Sequence, residues 1–377
     1  MRKAIVVGGG IGGLTAAIGL HGIGWEVTVL ERAPELTAVG AGISLWPNAL
    51  RSLETLDVHL GKLREQSSGG LHDREGRRIT RWDAEAFRRH HGRPLAAIHR
   101  ADLIGALRDA LPAGCVRTGT EVTALDDLDA DLIVAADGIH STARAQLWPG
   151  HPEPVYSGST AFRAVTAPPR PVELSTSWDD GAEIGVIPLH DGRVYWWASY
   201  VAEAGIRHED PKSYLKNRFG CWHEPIPELI DATEPETLLH HDLYLLGTPL
   251  PAYVKGRVAL LGDAAHAMPP FLGQGGCQAI EDAVVLAAAL STTEDIDTAL
   301  KSYDEQRRPR SQGVVKASIQ AGKVGPQLRN PLAVAVRNGV FRLLPGALTA
   351  RIGARIGAGV SGWIPPVPRR PVPPRTP

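Results

Sequence analysis

The sequence is short of cysteine and has no excess of charge of either sign. Its three cysteines, Cys115, Cys221 and Cys277, form no CxxC pair and no metal-ligand spacing. This usage favours a reducing compartment such as the cytoplasm, and the segment after Lys3 lacks the layout of a signal peptide. With 40 basic and 41 acidic residues among 377, the composition favours neither nucleic acid nor an anionic membrane as a partner. No uncharged run reaches the ~20 residues that cross a bilayer, so we expect no transmembrane segment.

The N-terminal 32 residues carry a glycine motif between two apolar segments. A predicted strand, Ala4–Val7, leads into G-x-G-x-x-G, a helix and a second strand that ends at an acid, Glu31. The glycines are Gly8, Gly10 and Gly13, and this order of parts is typical of dinucleotide-binding units. The first glycine permits a tight turn, the second lets the backbone approach a pyrophosphate, and the third lets helix and strand pack closely. Glu31 stands where an acid binds a ribose hydroxyl, but the motif does not distinguish FAD from NAD.

A second glycine-rich stretch, residues 256–290, predicts a buried strand, an acid, an irregular loop and a helix. The apolar run Val258–Leu261 ends next to Asp263, and the loop contains Pro270 and the glycines of 273–276. An apolar segment at helical spacing follows. The start of a helix presents free N–H groups and a partial positive charge. We expect this site to suit a ring that becomes anionic, such as a reduced flavin, and Asp263 to accept a hydrogen bond from a sugar-like hydroxyl.

Three shorter segments carry further candidates. The small residues Gly40, Ala41 and Gly42 let a flat ligand approach the backbone. Arg100 stands in the first turn of a predicted helix, where the dipole disfavours a cation unless it meets a bound anion; a solvated surface arginine is the alternative. Asp137 follows a predicted strand, in a segment where a serine can cap the next helix. The alternative for this segment is a capped helix start with an internal Asp–Arg pair.

The composition changes at residue 151. Residues 151–254 hold many prolines and four tryptophans, and Asp-Gly turns separate their predicted strands, which favours an antiparallel sheet. We expect a discontinuous dinucleotide-binding domain, a second domain built on this sheet, a C-terminal helical segment and a disordered Pro-rich tail. The first domain comprises residues 1–75, 97–150 and 255–300. The second comprises residues 76–96 and 151–254. The helical segment spans residues 301–362, and the tail spans residues 363–377.

Several predictions concern single elements. Residues 61–96 predict a hairpin excursion from the first sheet, and residues 119–122 predict a short strand. Residues 299–322 predict a charged helix with a kink at Pro309. Residues 331–358 predict an amphipathic helix docked on the first domain, with a membrane-surface helix as the alternative.

Taken together, the glycine-containing motifs resemble those of the class A flavoprotein monooxygenases, the FAD-dependent family of para-hydroxybenzoate and salicylate hydroxylases. The resemblance rests on Gly8–Gly13 with Glu31, on Asp137–Arg144 and on Gly262–Gly276, in matching order and spacing. It implies an α/β fold. The parts would be a Rossmann-like FAD-binding domain with a parallel sheet, an antiparallel-sheet substrate domain and C-terminal helices.

The resemblance also implies roles around a tightly but non-covalently bound FAD. The pyrophosphate would be held by Gly8, Gly10 and Gly13, the adenosine by Glu31, Arg32 and the Val122 backbone, and the ribityl-pyrophosphate region by Arg100 and Asp263. The isoalloxazine would lie between Pro270, Gly273, Gly275 and Gly276 on one side and Gly40, Ala41 and Gly42 on the other. Asp137 would serve both FAD and the electron donor.

The implied reaction is hydroxylation of an aromatic or polyketide-like, electron-rich small molecule by O2, through a flavin C4a-hydroperoxide. NADH or NADPH would visit transiently, since the sequence has no second nucleotide-binding motif. Open alternatives are an epoxidase of the same family, a flavin-dependent dehydrogenase or reductase without oxygen transfer, and a non-catalytic FAD-binding protein. The chain would act as a monomer or homodimer.

Candidates on the substrate side are fewer. Arg193 and Tyr195, which strand alternation would place on one face, are candidates for placing an anionic or phenolic substrate. Candidates for the pocket wall are Leu45, Trp197 and Phe271. Flavin-linked urate hydroxylases, whose segments are similar, use an aspartate where Phe271 stands, so urate is disfavoured. His99 and His266 adjoin cofactor segments without a visible acid partner, and we expect structural roles for both.

Overall fold

The computed structural model describes residues 1–36, 41–343 and 360–370, which form two large sheets, one small sheet and the helices around them. The strands are β1 (Lys3–Val7), β2 (Glu26–Leu30), β3 (Gly42–Leu45), β4 (Arg64–Glu65), β5 (Ser68–His72), β6 (Arg78–Asp83), β7 (Ala96–His99), β8 (Val116–Arg117), β9 (Leu132–Ala135), β10 (Val155–Thr166), β11 (Leu174–Asp179), β12 (Ala182–Pro188), β13 (Val194–Val201), β14 (Leu239–Leu245), β15 (Val254–Lys255) and β16 (Val258–Leu260). The helices are α1 (Ile11–Gly22), α2 (Pro47–Thr55), α3 (Ala84–His91), α4 (Arg100–Asp109), α5 (Thr142–Leu147), α6 (Pro211–Phe219), α7 (Ile226–Asp231), α8 (Asp263–His266), α9 (Gly275–Leu290), α10 (Ile296–Val324) and α11 (Pro331–Leu343).

The first large sheet has the strand order β15-β16-β9-β1-β2-β8, and every neighbouring pair is parallel except β15 with β16. Strands β9 and β16 are buried along their whole length, as expected where helices cover both faces of a sheet. A Cβ on Gly12 of α1 would lie 2.7 Å from Leu261 and 3.0 Å from Ala279 of α9. The starts of α1 and α9 therefore meet at the end of β16, at the carboxyl edge of the parallel sheet.

The predicted strand at residues 119–122 is wrong. Strand β8 forms the edge of the first sheet, where Val116 pairs with Val29 of β2. Because β8 already occupies the edge of β2, the following residues up to Val122 have no strand to pair with there. Val122 has no regular secondary structure, and its side chain packs half-buried on the core of the first sheet.

The second large sheet has the order β14-β10-β13-β12-β11-β5-β6 and is antiparallel except between β11 and β5. One face packs under α6 and α7 through side chains such as Phe162, Ile184 and Trp196. By strand alternation the intervening residues, among them Arg163 and Tyr195, lie on the opposite face. Strand β12 is buried at every position, so that face is also covered.

The hairpin predicted within residues 61–96 is formed by β5 and β6. It begins before residue 76, which was proposed as the start of the second domain. Strand β5 lies wholly before that boundary and pairs with β6 and β11 in the second sheet. Helix α3 then leaves the sheet, and its Phe87 ring contacts the Trp46 ring at a centroid distance of 5.9 Å. The parallel sheet, the antiparallel sheet and the C-terminal helices are confirmed, while the division into domains stays a prediction.

The C-terminal segment differs from its prediction in where its last described helix docks. Helix α10 runs through Pro309 as one helix, and the kink predicted there stays a prediction. Helix α11 lies on the second sheet, where Arg337 stacks over the Trp178 ring at 5.1 Å and Arg342 pairs with Asp73. Docking on the first domain is therefore wrong for α11, because its arginines find their partners on the second sheet. Residues 344–359 lie outside the described residues, and among the described helices none combines the length and apolar character needed to cross a bilayer.

The start of the Pro-rich tail is ordered, contrary to the prediction. The Trp363 ring lies under the guanidinium groups of Arg307 and Arg310, at 5.6 and 5.0 Å from the ring centroid. Arg51 donates a hydrogen bond of 2.8 Å to the Trp363 carbonyl. These contacts hold Trp363, and the Arg369 N–H donates to the Ser291 hydroxyl at 2.9 Å. Residues 371–377 lie outside the described part of the chain.

Candidate active site

Glycines of the first motif form the turn between β1 and α1, and each has different surroundings. Gly8 has a φ of +106°, and a Cβ there would lie 2.3 Å from the Ala136 carbonyl oxygen. A Cβ on Gly13 would lie 1.9 Å from the Gly8 carbonyl oxygen. Gly10 is extended, and no heavy atom lies within 4 Å of its Cβ position. Packing thus requires glycine at positions 8 and 13, whereas Gly10 presents bare backbone to open space.

Two carboxylates follow β2 and β9, the strands on either side of β1 in the first sheet. Glu31, after β2, accepts hydrogen bonds from the N–H groups of Gly9 at 2.6 Å and Ala33 at 2.8 Å. Asp137, after β9, accepts one from the Ala143 N–H at 3.0 Å through Oδ2. Its Oδ1 is buried and has no hydrogen-bond partner among the described residues. A buried acceptor without a donor indicates a site for a ligand or water.

The segment after Asp137 is also a capped helix start, as the alternative prediction had it, but Arg144 donates to carbonyl groups instead of forming the internal Asp–Arg pair of that alternative. Ser141 accepts a hydrogen bond from the Arg144 N–H at 2.9 Å. The Arg144 guanidinium donates to the carbonyl groups of Ile139 at 2.6 Å and Ala264 at 3.1 Å. Arg144 therefore ties the Asp137 loop to α8, which begins at Asp263.

Asp263 and Arg100 are the first residues of α8 and α4, and their charges interact across the cleft. Both residues are exposed, yet desolvation by the surrounding cleft walls raises the pKa of Asp263, against the opposing effects of His266 and Arg100. Desolvation and the nearby Arg163 lower the pKa of Arg100. Within the described part of the chain, neither side chain has a hydrogen-bond partner. These two charges of opposite sign are exposed and unpaired among the described residues, so both are available to a polar ligand in this cleft.

The loop before α9 leaves the start of this helix open. Gly273 has a φ of +61°, in the left-handed region that favours glycine. The helix begins at Gly275, and Gln274 provides no side-chain cap. A Cβ on Gly275 would meet no atom within 4 Å, and one on Gly276 would lie 3.0 Å from Ile43. The positive end of α9 is therefore free to meet an anionic group.

Tyr195 closes the cleft from the second sheet. A Cβ on Gly42 would lie 2.5 Å from the Tyr195 Cβ, so this tyrosine packs directly on the start of β3. Arg163, on the neighbouring strand β10, lies beside the Tyr195 ring. Desolvation raises the pKa of Tyr195, and Arg163 opposes that effect. The Arg163 Nη2 lies 3.2 Å from Nδ1 of His241, but its Nε is buried without a partner, and no described carboxylate pairs with it.

Trp197 and a buried acid extend the same face. The Trp197 ring covers Gly185, where a Cβ would lie 2.0 Å from the ring, and its centroid is 5.7 Å from that of Tyr195. Its indole N–H donates to Glu183 at 3.0 Å, and the indole N–H of Trp178 donates to the other carboxylate oxygen at 3.0 Å. Desolvation raises the pKa of Glu183, which has only neutral hydrogen-bond donors. The sequence analysis did not select Glu183, although an acidic residue within the apolar strand 182–188 indicates a buried carboxylate.

Two substrate-side predictions need correction. Arg193 belongs to the turn before β13, and its Nε donates to Asp191 at 2.7 Å. It therefore does not share the face of Tyr195, because the alternation of side chains begins only with the strand. Leu45 is fully buried in the core of the first sheet and has no surface open to a ligand. Phe271 is half-buried, and its ring covers Gly322 of α10.

The remaining predicted residues have the following positions. His99 and His266 each have an acid partner, contrary to expectation: His99 Nε2 lies 3.0 Å from Asp191, and His266 Nε2 lies 2.6 Å from Asp282. These acids are distant in sequence, so no local pattern revealed them. Arg32 and Pro270 are exposed and Ala41 is buried, while Gly40 lies outside the described residues.

A buried polar network behind the cleft was also missed. Asp282 accepts hydrogen bonds from the Gly262 N–H at 2.9 Å and from Arg307 Nε at 2.7 Å, besides its contact with His266. The adjacent Glu281 pairs with Arg307 at 2.5 Å and accepts a hydrogen bond from Asn48 at 2.7 Å. The network joins α2, α9 and α10 to the turn that presents Asp263. Its sequence signal was the pair of acids within the otherwise apolar α9.

Comparison with known proteins identifies this geometry. The sequence profile of a family described as FAD binding domain matches residues 115–318, and that of pyridine nucleotide-disulphide oxidoreductase matches residues 3–59. The aurachin C monooxygenase/isomerase of Stigmatella aurantiaca is 37% identical over 361 residues, covering 90% of this chain and 94% of the relative. The FAD-dependent urate hydroxylase of Klebsiella pneumoniae is 32% identical, covering 83% and 88%. This chain belongs to the class A FAD-dependent aromatic monooxygenases.

The fold of this monooxygenase supports the same assignment. The solved structure of Klebsiella pneumoniae HpxO complexed with FAD and uric acid superposes with a TM-score of 0.87 at 28% identity, covering 96% of this chain and 97% of that one. The cleft fits FAD on its own geometry as well. Gly10 leaves bare backbone beside the open start of α1, and the Asp137 Oδ1 and the Asp263 carboxylate lack partners that hydroxyl or N–H groups of a ligand can supply.

Replacing Asp263 with alanine is expected to weaken FAD binding about tenfold, because a hydrogen bond to a charged group contributes about 1.5–3 kcal/mol. The measurement is quenching of flavin fluorescence on titration of apoprotein with FAD. Asp297→Ala, at an exposed acid in the first turn of α10, is the matched control and should leave the affinity unchanged. Equal affinity of the Asp263 variant and the wild type would remove Asp263 from the cofactor site.

Proposed function

We propose that this monooxygenase uses NADH or NADPH and O2 to hydroxylate an aromatic substrate with one acidic oxygen on an otherwise apolar body. The observation that carries the proposal is the half-buried Arg163 beside Tyr195. This guanidinium lacks a carboxylate partner among the described residues and faces the cleft that Arg100 and Asp263 also line. Arg163 and Arg100 both lower the pKa of the Tyr195 hydroxyl against the effect of its burial, so this part of the cleft favours an anionic oxygen on its ligands.

The cofactor side of the proposal assigns FAD to the carboxyl edge of the first sheet. Gly10 and the start of α1 would take the pyrophosphate, Glu31 the adenosine ribose, and Asp263 the ribityl chain. The open start of α9 would stabilise negative charge on the ring. FAD held there would supply the redox chemistry of a hydroxylation, in which NAD(P)H provides the electrons, one oxygen atom of O2 enters the substrate and the other leaves as water. The relatives named as monooxygenases and hydroxylases favour oxygen transfer over simple dehydrogenation.

On the substrate side, the residues would orient the ring and exclude water. Arg163 and the Tyr195 hydroxyl would hold the acidic oxygen of the substrate, and an ionised oxygen makes an aromatic ring more electron-rich. Trp197 and Phe271 would cover the apolar body. Glu183 would act through its hydrogen bonds, which fix the indole rings of Trp178 and Trp197.

Substrate choice is tested by NAD(P)H oxidation in the presence of FAD-loaded protein, with product mass measured under 18O2. The panel is aurachin C, salicylate, para-hydroxybenzoate and urate. We expect at least one of the first three to stimulate oxidation and to gain one labelled oxygen, and urate to do neither. Oxidised product without label would support a dehydrogenase, and hydroxylation of urate would contradict the apolar pocket.

Arg163→Met is expected to raise KM about tenfold with a smaller effect on kcat, because one charge-assisted hydrogen bond to the substrate is lost. Steady-state kinetics with the best substrate of the panel would measure both constants. Arg193→Met is the matched control, since this exposed arginine is already paired with Asp191, and it should change KM less than about twofold. A larger effect at position 193 than at 163 would restore Arg193 as the substrate-binding arginine.

A further inference from the structure

Charge is unevenly distributed along this chain. From Gln306 to Pro377 the sequence has 13 lysines and arginines and no acidic residue, whereas the first 305 residues hold 27 basic and 41 acidic ones. The net charge of −1 therefore conceals a basic C-terminal segment. Some of its cations are neutralised in the fold, as Arg342 is by Asp73, but Lys323 and Arg329 have no carboxylate partner among the described residues. Such asymmetry is a reason to look for an anionic surface as a partner.

Helix α11 exposes an apolar stripe, formed by Leu332, Val336, Val340 and Leu343. Their exposed fractions are 75%, 58%, 51% and 85%. At 3.6 residues per turn these four side chains fall within an arc of about 80°. The opposite face of the helix is buried on the second sheet, through Val334 among others. A contiguous set of exposed apolar side chains on one helix face indicates a contact surface.

Exposed cations lie on β6 and around the end of α10, both of which contact α11. Arg78 and Arg81 stand on β6, on which α11 packs, and Lys323 and Arg329 stand at the end of α10 and in the link to α11. None of the four has a salt bridge within the described ranges. An apolar helix face with basic residues beside it is typical of helices that lie in a bilayer interface, and anionic lipids attract such cations.

The area argues against a second copy of the chain as the partner. A stable protein–protein interface buries about 800 Å² on each side. Four side chains on a helix of 13 residues offer only part of that area. A lipid surface has no such minimum, because apolar insertion and electrostatic attraction add residue by residue.

We propose that α11 docks on the surface of an anionic phospholipid bilayer. The apolar stripe enters the boundary between headgroups and acyl chains, and Arg78, Arg81, Lys323 and Arg329 meet the lipid phosphates. The helix lies in the plane of the interface. This surface adjoins the substrate side of the protein, because Arg337 of α11 stacks on Trp178, which shares the Glu183 carboxylate with Trp197.

The test is vesicle flotation of the FAD-loaded full chain. Vesicles of phosphatidylcholine alone are compared with vesicles in which part of it is replaced by phosphatidylglycerol, at low and high salt. We expect binding to the anionic vesicles that weakens at high salt. Leu332→Gln with Leu343→Gln should lower the partition coefficient at least tenfold, and Arg78→Gln with Arg81→Gln should lower it about fivefold per cation.

Val155→Gln, at an exposed valine on β10, is the matched apolar control and should bind vesicles like the wild type. All variants should keep the thermal stability and the NAD(P)H-dependent flavin reduction of the wild type, since none of these residues lies in the cleft. Absence of binding to anionic vesicles at low salt would overturn the proposal. The proposal would also be overturned if the Leu332/Leu343 variant bound anionic vesicles as well as the wild type. The same holds if the wild type self-associated through this stripe, lost that self-association in the variant and bound no vesicles.

Discussion

Gly10→Ala is expected to fold normally and to lose FAD, whereas Gly13→Ala is expected to lose the fold. Position 10 is extended, and a methyl group there would meet no protein atom within 4 Å, so the stability should change by less than about 1 kcal/mol. The same methyl group would occupy the space through which a pyrophosphate reaches the start of α1. Loss of one or two charge-assisted hydrogen bonds would weaken FAD binding about 100-fold.

At position 13 the methyl group would lie 1.9 Å from a backbone carbonyl oxygen, which cannot move without shifting the turn that Gly8 forms. We expect a loss of about 3 kcal/mol or more from overpacking. Thermal unfolding of the apoproteins and FAD titration separate the two outcomes. A Gly10 variant that binds FAD like the wild type would show that no ligand approaches this backbone, and a stable Gly13 variant would contradict the packing described for α1.

Asp282→Asn is expected to destabilise the protein by about 3 kcal/mol, because it removes the buried charge that faces His266 and Arg307. The amide retains the shape of the carboxylate but cannot accept hydrogen bonds at both terminal atoms. Since the network supports the turn that presents Asp263, FAD affinity should fall as well. Chemical denaturation of the apoprotein measures the free energy of unfolding, and Asp297→Asn at an exposed site should change it by no more than about 0.5 kcal/mol.

This variant should also change the pH dependence of stability. Burial alone would raise the pKa of Asp282. His266, Arg307 and the Gly262 N–H lower this pKa by more than burial raises it, so it lies well below its usual range. A depressed pKa in the folded state gives stability that is fully present above the unfolded value of 3.8 and is lost as the pH falls below it. The difference between wild type and variant should therefore shrink in acid, and a difference that grows there would contradict the assigned charge.

The cofactor side of the fold was predictable because its signals are local. The glycine spacing at residues 8–13, the acid after the second strand and the glycines before α9 are each read within about 30 residues. Their physical reasons, a turn with positive φ, a close helix contact and an uncapped helix start, depend on neighbouring backbone. The structure accordingly places these segments around one cleft, at the carboxyl edge of the parallel sheet.

The substrate side was not predictable in the same way, because its contacts join distant parts of the chain. Arg163 meets Tyr195 only through the pairing of β10 with β13, and Glu183 gains its indole partners only through the register of three strands. Arg193 was a reasonable candidate from alternation, but the turn at residues 191–192 holds it outside the strand. Likewise, the partners of His99 and His266 come from elements whose positions no short pattern reveals.

The central claim is that the turns after β1, β9 and β16 together hold one FAD. The most direct measurement is the flavin content of the purified wild-type protein, before and after incubation with excess FAD and removal of free cofactor. We predict a yellow protein with one FAD per chain, released on denaturation because the cofactor is not covalently attached. A colourless protein that stays colourless after incubation would contradict the account.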